Sequence, residues 1–218
     1  MIRCCIFDLD GVVVDTARYH FLAWAELARS LGFELTPAAG EATKGVSRMA
    51  SLDIVLEAGG FAGRFAPEER ERMAARKNDR YLEFVGRMTP DDVLPGVRPF
   101  LGELHARGVK IVLGSASKNA GTILDRCGLR LLFDAVVDGT LVARAKPDPE
   151  VFVRGAELAG EEPAACVVFE DAAAGIEAAA RAGMRSVGVG PSPALAAATL
   201  RIAGFEGFTF DRLAAAID

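Results

Sequence analysis

The chain is poor in the features that mark specialised architectures. Four cysteines occur in 218 residues, and the adjacent Cys4 and Cys5, Cys127 and Cys166 have no metal-ligand spacing. Buried reduced thiols are therefore expected, rather than a disulfide framework or a redox pair. There is no basic surplus: 25 Lys and Arg stand against 30 Asp and Glu, for a net charge of -5, which argues against a nucleic-acid surface. No stretch of membrane-spanning length is free of charges, and the apolar run at the N-terminus is too short for a signal peptide. Internal repeats are absent, as are low-complexity tracts beyond Ala-rich helices. These absences point to a cytoplasmic protein with no nucleic-acid or membrane partner. The rest is ordinary, with 51% hydrophobic and 25% charged residues, and the length suits one α/β domain or one domain carrying an insertion. An anionic small substrate stays open, because local lysines and a metal matter more at a site than net charge.

Five short apolar runs read as buried parallel strands, at residues 3–7, 110–114, 135–137, 166–169 and 186–189. Amphipathic helical patterns at 99–107, 120–127, 149–159, 172–182 and 193–203 separate or follow the later ones, with Gly108, Gly128, Gly160, Gly183 and Gly204 as helix stops. This alternation predicts an α/β fold with a doubly wound, mainly parallel sheet. Between the first two strands, residues 16–92 show helical stretches at 20–31, 49–58 and 67–86 and no convincing strand. They read as an all-α helical cap inserted into a core of residues 1–15 and 93–218, with linkers near Asp15-Thr16 and near 90–95 through which the two parts can move.

In open α/β sheets ligands bind beyond the carboxyl ends of the strands. The first strand ends in Asp8-Leu9-Asp10-Gly11. Residues i and i+2 of a strand face the same way, so both carboxylates aim at one point, and two like charges there need a cation such as Mg2+. One acid can then serve as a nucleophile that forms an acyl phosphate and the other as acid/base. The second strand leads into Gly114-Ser115-Ala116-Ser117-Lys118-Asn119, a hydroxyl and backbone N–H groups suited to phosphate oxygens. Lys146-Pro147-Asp148-Pro149 follows the third, and the fourth delivers Glu170-Asp171, a second acidic pair for a metal shell. Each has a plain alternative, namely a solvated turn, an N-cap, a surface lysine or a helix-opening acidic pair. Together, acid, hydroxyl, lysine and acid at four successive strand ends do not fit those alternatives.

On these four segments the chain resembles the haloacid dehalogenase-like superfamily over its whole length. Its inserted part resembles that of the β-phosphoglucomutase family, through Asp15-Thr16-Ala17-Arg18-Tyr19-His20, Trp24, Lys44-Gly45-Val46-Ser47-Arg48, Arg76-Lys77-Asn78-Asp79 and Ser115-Ala116-Ser117-Lys118-Asn119. The resemblance implies phosphoryl exchange between the C1 and C6 oxygens of a glucose phosphate, through an aspartyl phosphate and a β-glucose 1,6-bisphosphate that also primes the enzyme. Asp8 would be the nucleophile and Asp10 the acid/base. Mg2+ would be held by Asp8, the Asp10 carbonyl and Asp171, with Glu170 binding directly or through water. Ser115, Ala116 and Lys146 would cradle the transferring group. Arg48, Ser117, Lys118 and Asn119 would take the second phosphate, for which a planar guanidinium is well shaped. The resemblance places Gly45, Val46 and Asn78 beside the substrate, His20, Trp24 and Lys77 near the closed cleft, and Thr16 at the hinge. Their plain alternatives are an exposed histidine, a core tryptophan, a solvated lysine and an N-cap.

The core motifs do not separate a mutase from the alternative, a Mg-dependent sugar-phosphate phosphatase; that depends on whether a closed cap excludes water and positions a sugar. The cap segments favour the mutase. Met49-Ala50 and Ala172 depart from the mutase pattern, which tends to have polar or acidic residues there, and Gly190-Pro191-Ser192 lacks the charge often found at that place. A non-catalytic scaffold would predict lost acids, and none is lost. Phosphonate cleavage through a Schiff base would need a dedicated cap lysine, for which Lys44 and Lys77 qualify by type only. A monomer is expected, since cap and cleft make a site within one chain.

Overall fold

A computed structural model describes residues 1–217. Cys4–Phe7 (β1) is buried at every position and pairs in parallel with Lys110–Gly114 (β2) on one side and Cys166–Glu170 (β4) on the other. Ala135–Val137 (β3) extends the sheet beyond β2, while Arg185–Val189 (β5) and Leu200–Ile202 (β6) extend it beyond β4, giving the parallel order β3-β2-β1-β4-β5-β6. The order reverses at β1, so the crevice for a ligand opens above the ends of β1 and its neighbours.

Period-two alternation in β1 divides its side chains between two layers of helices. Cys4 and Ile6 pack against Val151, Phe152 and Ala156 of Glu150–Ala159 (α7) and Ala178 and Ala179 of Ala173–Arg181 (α8). Cys5 and Phe7 face Phe100, Leu101 and Leu104 of Val97–Ala106 (α5), Ile123 of Ala120–Arg126 (α6) and Leu213 of Phe210–Ile217 (α9). Phe7 and Phe169 stack with ring centres 4.6 Å apart. All four cysteines are free and buried.

Between β1 and α5 lie four further helices: Ala17–Ser30 (α1), Pro37–Ala42 (α2), Arg48–Ala58 (α3) and Pro67–Val85 (α4). They have an apolar cluster of their own, built on Trp24, Leu27 and Ala28 of α1, Leu52, Val55 and Leu56 of α3 and Ala74 of α4. The chain segments entering and leaving this helical part run antiparallel side by side, with Leu94 N–H donating to Val13 O at 3.0 Å and Asp15 N–H to Asp92 O at 2.9 Å.

Three elements differ from the sequence reading. The helix expected at 193–203 is a single 3-10 turn, Pro193–Leu195, followed by edge strand β6. Ser192-Pro193 is a genuine helix start, with Ser192 Oγ capping the Ala194 N–H, but the edge of β5 offers Leu200–Ile202 backbone partners, a tertiary demand that overrides even the high helix propensity of the alanines. Gly204 consequently ends no helix. Helices α2 and α9 were not anticipated. The first is only six residues long, although Thr36, whose Oγ1 accepts from Ala39 N, and Pro37 at the first position form a regular start signal.

Candidate active site

The central strands converge on one lysine. Register puts Asp8 one step beyond the Phe7–Leu113 and Phe7–Phe169 pairs, level with Gly114 and Glu170. Into that row reaches Lys146, whose Nζ lies 2.6 Å from Asp8 Oδ1, 2.8 Å from Glu170 Oε2 and 3.1 Å from the Gly114 carbonyl. Three ammonium hydrogens thus meet three acceptors at the ends of β1, β4 and β2. Burial alone would lower the Lys146 pKa, but Asp8 and Glu170 outweigh it and hold it raised and charged. The Lys146–Pro147 peptide is cis. Ser115, fully buried, accepts the Ser117 N–H on its Oγ at 3.1 Å, and Ser117 Oγ accepts the Asn119 N–H at 3.2 Å. The Ser115 segment is therefore folded back on itself above the end of β2.

Asp10 turns away from Asp8 toward the helical part. Its Oδ1 accepts from the Thr16 hydroxyl and, at 3.4 Å, from the Tyr81 hydroxyl, and His20 Nε2 stands 3.6 Å away. Thr16 occupies the N-cap position of α1 but makes no side-chain cap bond there, so its hydroxyl serves Asp10 instead of the helix. Behind His20, Lys77 Nζ lies 2.8 Å from His20 Nδ1. When Lys77 is charged its ammonium only donates, so Nδ1 accepts and Nε2 carries the proton toward Asp10. Lys77 is 4% exposed, with its Nζ 4.6 Å from the centre of the Trp24 ring, which overturns the solvated alternative. Burial, together with Arg48, outweighs Asp10 and brings its pKa down to about 7. Burial and the Lys77 charge likewise lower His20 against the pull of Asp10. Asp10, which burial alone would raise, is held low by His20, Thr16 and Lys77.

Arg48 at the start of α3 donates to Asn78 Oδ1 at 2.6 Å, and Asn119 Nδ2 lies 3.3 Å from the same oxygen. This joins α3, α4 and the loop after β2. Asp8, Asp10, His20, Trp24, Gly45, Val46, Arg48, Lys77, Asn78, Ala116, Ser117, Lys118, Asn119, Lys146 and Asp171 line a single cavity of about 950 Å³. Thr16, Ser115 and Glu170 are fully buried behind its wall. Two further residues belong here. Lys44, which the sequence offers by type for Schiff-base chemistry and as part of a matched segment, has its Nζ 3.0 Å from Asp171 Oδ2 and 3.0 Å from Glu41; its position beside Gly45 is the signal for this role. Tyr81 had no signal beyond its i+4 spacing from Lys77.

The carboxylates fit a hard divalent cation. Asp8, Glu170 and Asp171 each bring an oxygen within 4.8 Å of the others, and oxygen-only donors suit Mg2+. Burial pushes the pKa of Asp8 and Glu170 up despite Lys146, and that of Asp171 up to about 6 despite Lys44. Burial thus outweighs the two lysines and leaves these acids readily protonated. Glycines make the room: a Cβ on Gly11, whose φ is +81°, would stand 2.4 Å from Asp171 Oδ2, and one on Gly175 would stand 2.0 Å from Glu170 Oε2. The raised acids take up protons that a metal must displace. Mg2+ affinity is accordingly expected to fall as pH is lowered from 8 to 6, as followed by titration calorimetry in several buffers, with protons released on binding. A pH-independent affinity without proton release would contradict this account of the charge.

A family model of haloacid dehalogenase-like hydrolases matches residues 2–183. The β-phosphoglucomutase of Bacillus subtilis (strain 168) is 39% identical over 211 residues, 97% of this chain and 93% of that protein. A crystal structure of β-phosphoglucomutase from Clostridium difficile superposes with a TM-score of 0.94 at 40% identity, covering 100% of this chain and 97% of that one. The fructose-1-phosphate phosphatase of Escherichia coli (strain K12) is 35% identical over 186 residues, 84% of this chain and 94% of that protein. With these matches and the acid–lysine–acid row at its strand ends, the chain belongs to the haloacid dehalogenase-like hydrolases.

Proposed function

We propose that this protein is a β-phosphoglucomutase, an enzyme that interconverts β-D-glucose 1-phosphate and β-D-glucose 6-phosphate. The observation that carries the reading is a shared cavity: the Asp8–Lys146–Asp171 row and the cap-borne His20, Lys77, Arg48 and Asn78 line the same 950 Å³ space. A phosphatase needs the first group; moving a phosphoryl group between two ends of one sugar also needs a second anion site. Asp8 is the group that takes the phosphoryl, and Asp10 gives a proton to the departing sugar oxygen or removes one from the attacking hydroxyl. Ser115, the Ala116 backbone and Lys146 hold the phosphoryl oxygens, and Lys146 neutralises charge there. Bound Mg2+, for which Asp8, the Asp10 carbonyl, Glu170 and Asp171 are the ligands, would supply further charge neutralisation at the transferring group.

His20 and Lys77 orient Asp10 and the sugar, with Trp24, Gly45 and Val46 shaping the cap wall and Thr16 holding Asp10 at the hinge. Arg48, Ser117, Lys118 and Asn119 bind the remote phosphate. β-Glucose 1,6-bisphosphate would be both intermediate and priming donor, binding with either end at Asp8. The division into a cap of residues 16–92 and a core of 1–15 and 93–218 is supported by the inserted part's own apolar cluster and the paired linkers, with Ala23, Tyr81 and Val85 of α1 and α4 packing instead with the core's cluster. No helix among the described residues is long and apolar enough to cross a membrane; a cytoplasmic monomer completes the reading.

The test follows glucose 6-phosphate and free phosphate together after β-glucose 1-phosphate, Mg2+ and a trace of the bisphosphate are added. Glucose 6-phosphate with little free phosphate is expected. Dominant phosphate release, with fructose 1-phosphate hydrolysed as well, would make the protein a phosphatase instead. Arg48→Ala should weaken binding of the bisphosphate roughly ten- to hundredfold, the worth of hydrogen bonds to a charged group. Calorimetric affinity unchanged from wild type would place the second phosphate elsewhere.

A further inference from the structure

Among the described residues, the donors that converge on Asp10 all meet one oxygen. The hydroxyls of Thr16 and Tyr81 donate to Oδ1, His20 Nε2 points at it from 3.6 Å, and no hydrogen bond engages Oδ2. Thr16 lies at the hinge and His20 on α1, and both already have roles in the proposed reaction. Tyr81 has none, although its placement is unusual. It is fully buried on α4, its ring lies against the His20 ring with centres 4.0 Å apart, and the Lys77 ammonium is 5.0 Å from the ring centre. Besides Asp10, the polar side chains beside its hydroxyl are Thr16 and Ser117.

We propose that Tyr81 is a positioning residue for proton transfer: its hydroxyl holds Asp10 by Oδ1, so that Oδ2 is presented to the oxygen that gains or loses the phosphoryl group. The inference rests on the phosphoryl-transfer reading above. A carboxyl rotates freely about its Cβ–Cγ bond unless both its edge and its plane are fixed. Thr16 supplies one direction and Tyr81 a second, from a different helix. Because α4 belongs to the inserted part while Asp10 and Ser117 belong to the core, Tyr81 donates only when the two parts are together. A phenol keeps its proton at neutral pH, so the hydroxyl remains a donor throughout the working range. Proton transfer is thereby linked to closure of the cap, the condition under which water is excluded.

The chemistry provides a readout that a merely structural tyrosine would not move. When a sugar phosphate phosphorylates Asp8, the bond between phosphorus and sugar oxygen breaks, the carboxylate forms the new P–O bond, and a proton that Asp10 has taken up, from solvent or from the hydroxyl attacked in the preceding transfer, goes to the leaving sugar oxygen. When acetyl phosphate does so, the leaving group is acetate, which needs no proton. The experiment measures single-turnover phosphorylation of Asp8 by β-glucose 1,6-bisphosphate and by acetyl phosphate in wild type and in Tyr81→Phe, which keeps the ring and removes only the hydroxyl. The ratio of the sugar rate to the acetyl phosphate rate is expected to fall about tenfold, part of the 10²–10⁴ typical of general acid catalysis because Thr16 and His20 remain. The ratio does not depend on how much of the variant is folded, and Tyr81→Leu, which also removes the ring, should lower it at least as far.

A ratio within twofold of wild type would overturn the proposal and leave Tyr81 as packing. Wild type phosphorylated by acetyl phosphate but not by the bisphosphate would overturn the glucose assignment instead. The ratio would then be read with fructose 1-phosphate as the sugar donor, and the same two outcomes would decide on Tyr81.

Discussion

Asp8→Asn is expected to abolish phosphoenzyme formation and, with it, sugar phosphate turnover. An amide nitrogen has no nucleophilic lone pair to offer a phosphoryl group, and its oxygen is a far poorer nucleophile than a carboxylate. Loss of an enzyme's nucleophile typically costs on the order of 10⁵–10⁶ in rate. The fold should survive. Asparagine has the same shape, its Oδ1 can still accept from Lys146 Nζ while its amide faces the Asp10 N–H that Asp8 Oδ2 accepts in the wild type, so that one bond is lost, and Lys146 keeps Glu170 as a counter-charge at 2.8 Å. Burial penalises the Asp8 carboxylate, which offsets the lost bond, so the neutral variant should melt close to the wild-type temperature. Acid-stable label from a radioactive donor on the variant, at wild-type stoichiometry, would remove Asp8 from its role.

Lys146→Met is expected to damage both stability and activity. The wild-type ammonium ties Asp8, Glu170 and the Gly114 carbonyl together, and methionine fills similar space without donating. Removing one member of a buried ion pair usually costs about 3–5 kcal/mol because the partner charge is left uncompensated. The sign of the pH dependence follows. Without Lys146, Asp8 and Glu170 have folded-state pKa values still further above their unfolded ones, so the folded variant binds more protons than the unfolded chain. Its stability should therefore be greatest in mild acid and fall as pH rises through the raised values. Urea denaturation from pH 5 to 8 would show the gap from wild type widening with pH; a constant gap would mean that the loss is one of packing and not of charge. Mg2+ should recover part of the stability at neutral pH by meeting the same carboxylates.

The two variants probe features that differ in how far the sequence exposes them. Asp8, Ser115, Lys146 and Glu170 each follow an apolar run of four or five residues or the loop beyond one, and a parallel sheet places all such ends on one rim. Their convergence was legible because strand period and crossover topology leave little freedom. The inserted helices were legible as helices, since α1, α3 and α4 have apolar faces that form one cluster, but not in how they meet the core. Nothing in the spacing of α4 shows that Lys77 is buried against Trp24 and His20, because a lysine in a charged run is usually solvated. Tyr81 is hidden for the same reason: whether a helical tyrosine reaches a carboxylate 71 residues away depends on the closure angle of two linkers, which no local pattern records. The misreading of 193–203 has another origin. Local propensity governs a helix in isolation, whereas the edge of β5 is a tertiary demand that Leu200–Ile202 meets. Lys44 lay within a matched segment, and its ion pair with Asp171 arises where the loop carrying Gly45 packs with that glycine close to Ala172.

That contact at Ala172 also bears on the departures from the mutase pattern. Gly45 has a φ of +70°, and a Cβ there would lie 3.2 Å from the Ala172 Cβ, so small residues on both sides let the cap loop approach the acidic end of the cavity. Met49 lines the cavity and adds apolar surface close to Arg48. Ala172 meets Glu170 through its backbone N–H, which donates to Oε1 at 3.1 Å, a bond that any residue other than proline can make here.

The central claim is that the phosphoryl group on Asp8 passes to a sugar hydroxyl in preference to water. It is tested most directly by labelling Asp8 with radioactive phosphate, mixing the phosphoenzyme with β-glucose 1-phosphate in the presence of Mg2+, and separating bisphosphate from inorganic phosphate within one turnover. Label predominantly in glucose 1,6-bisphosphate, released faster than the phosphoenzyme decays in buffer alone, is the expected result. Label appearing as inorganic phosphate at a rate the sugar does not alter would contradict it and make this cavity a hydrolase site.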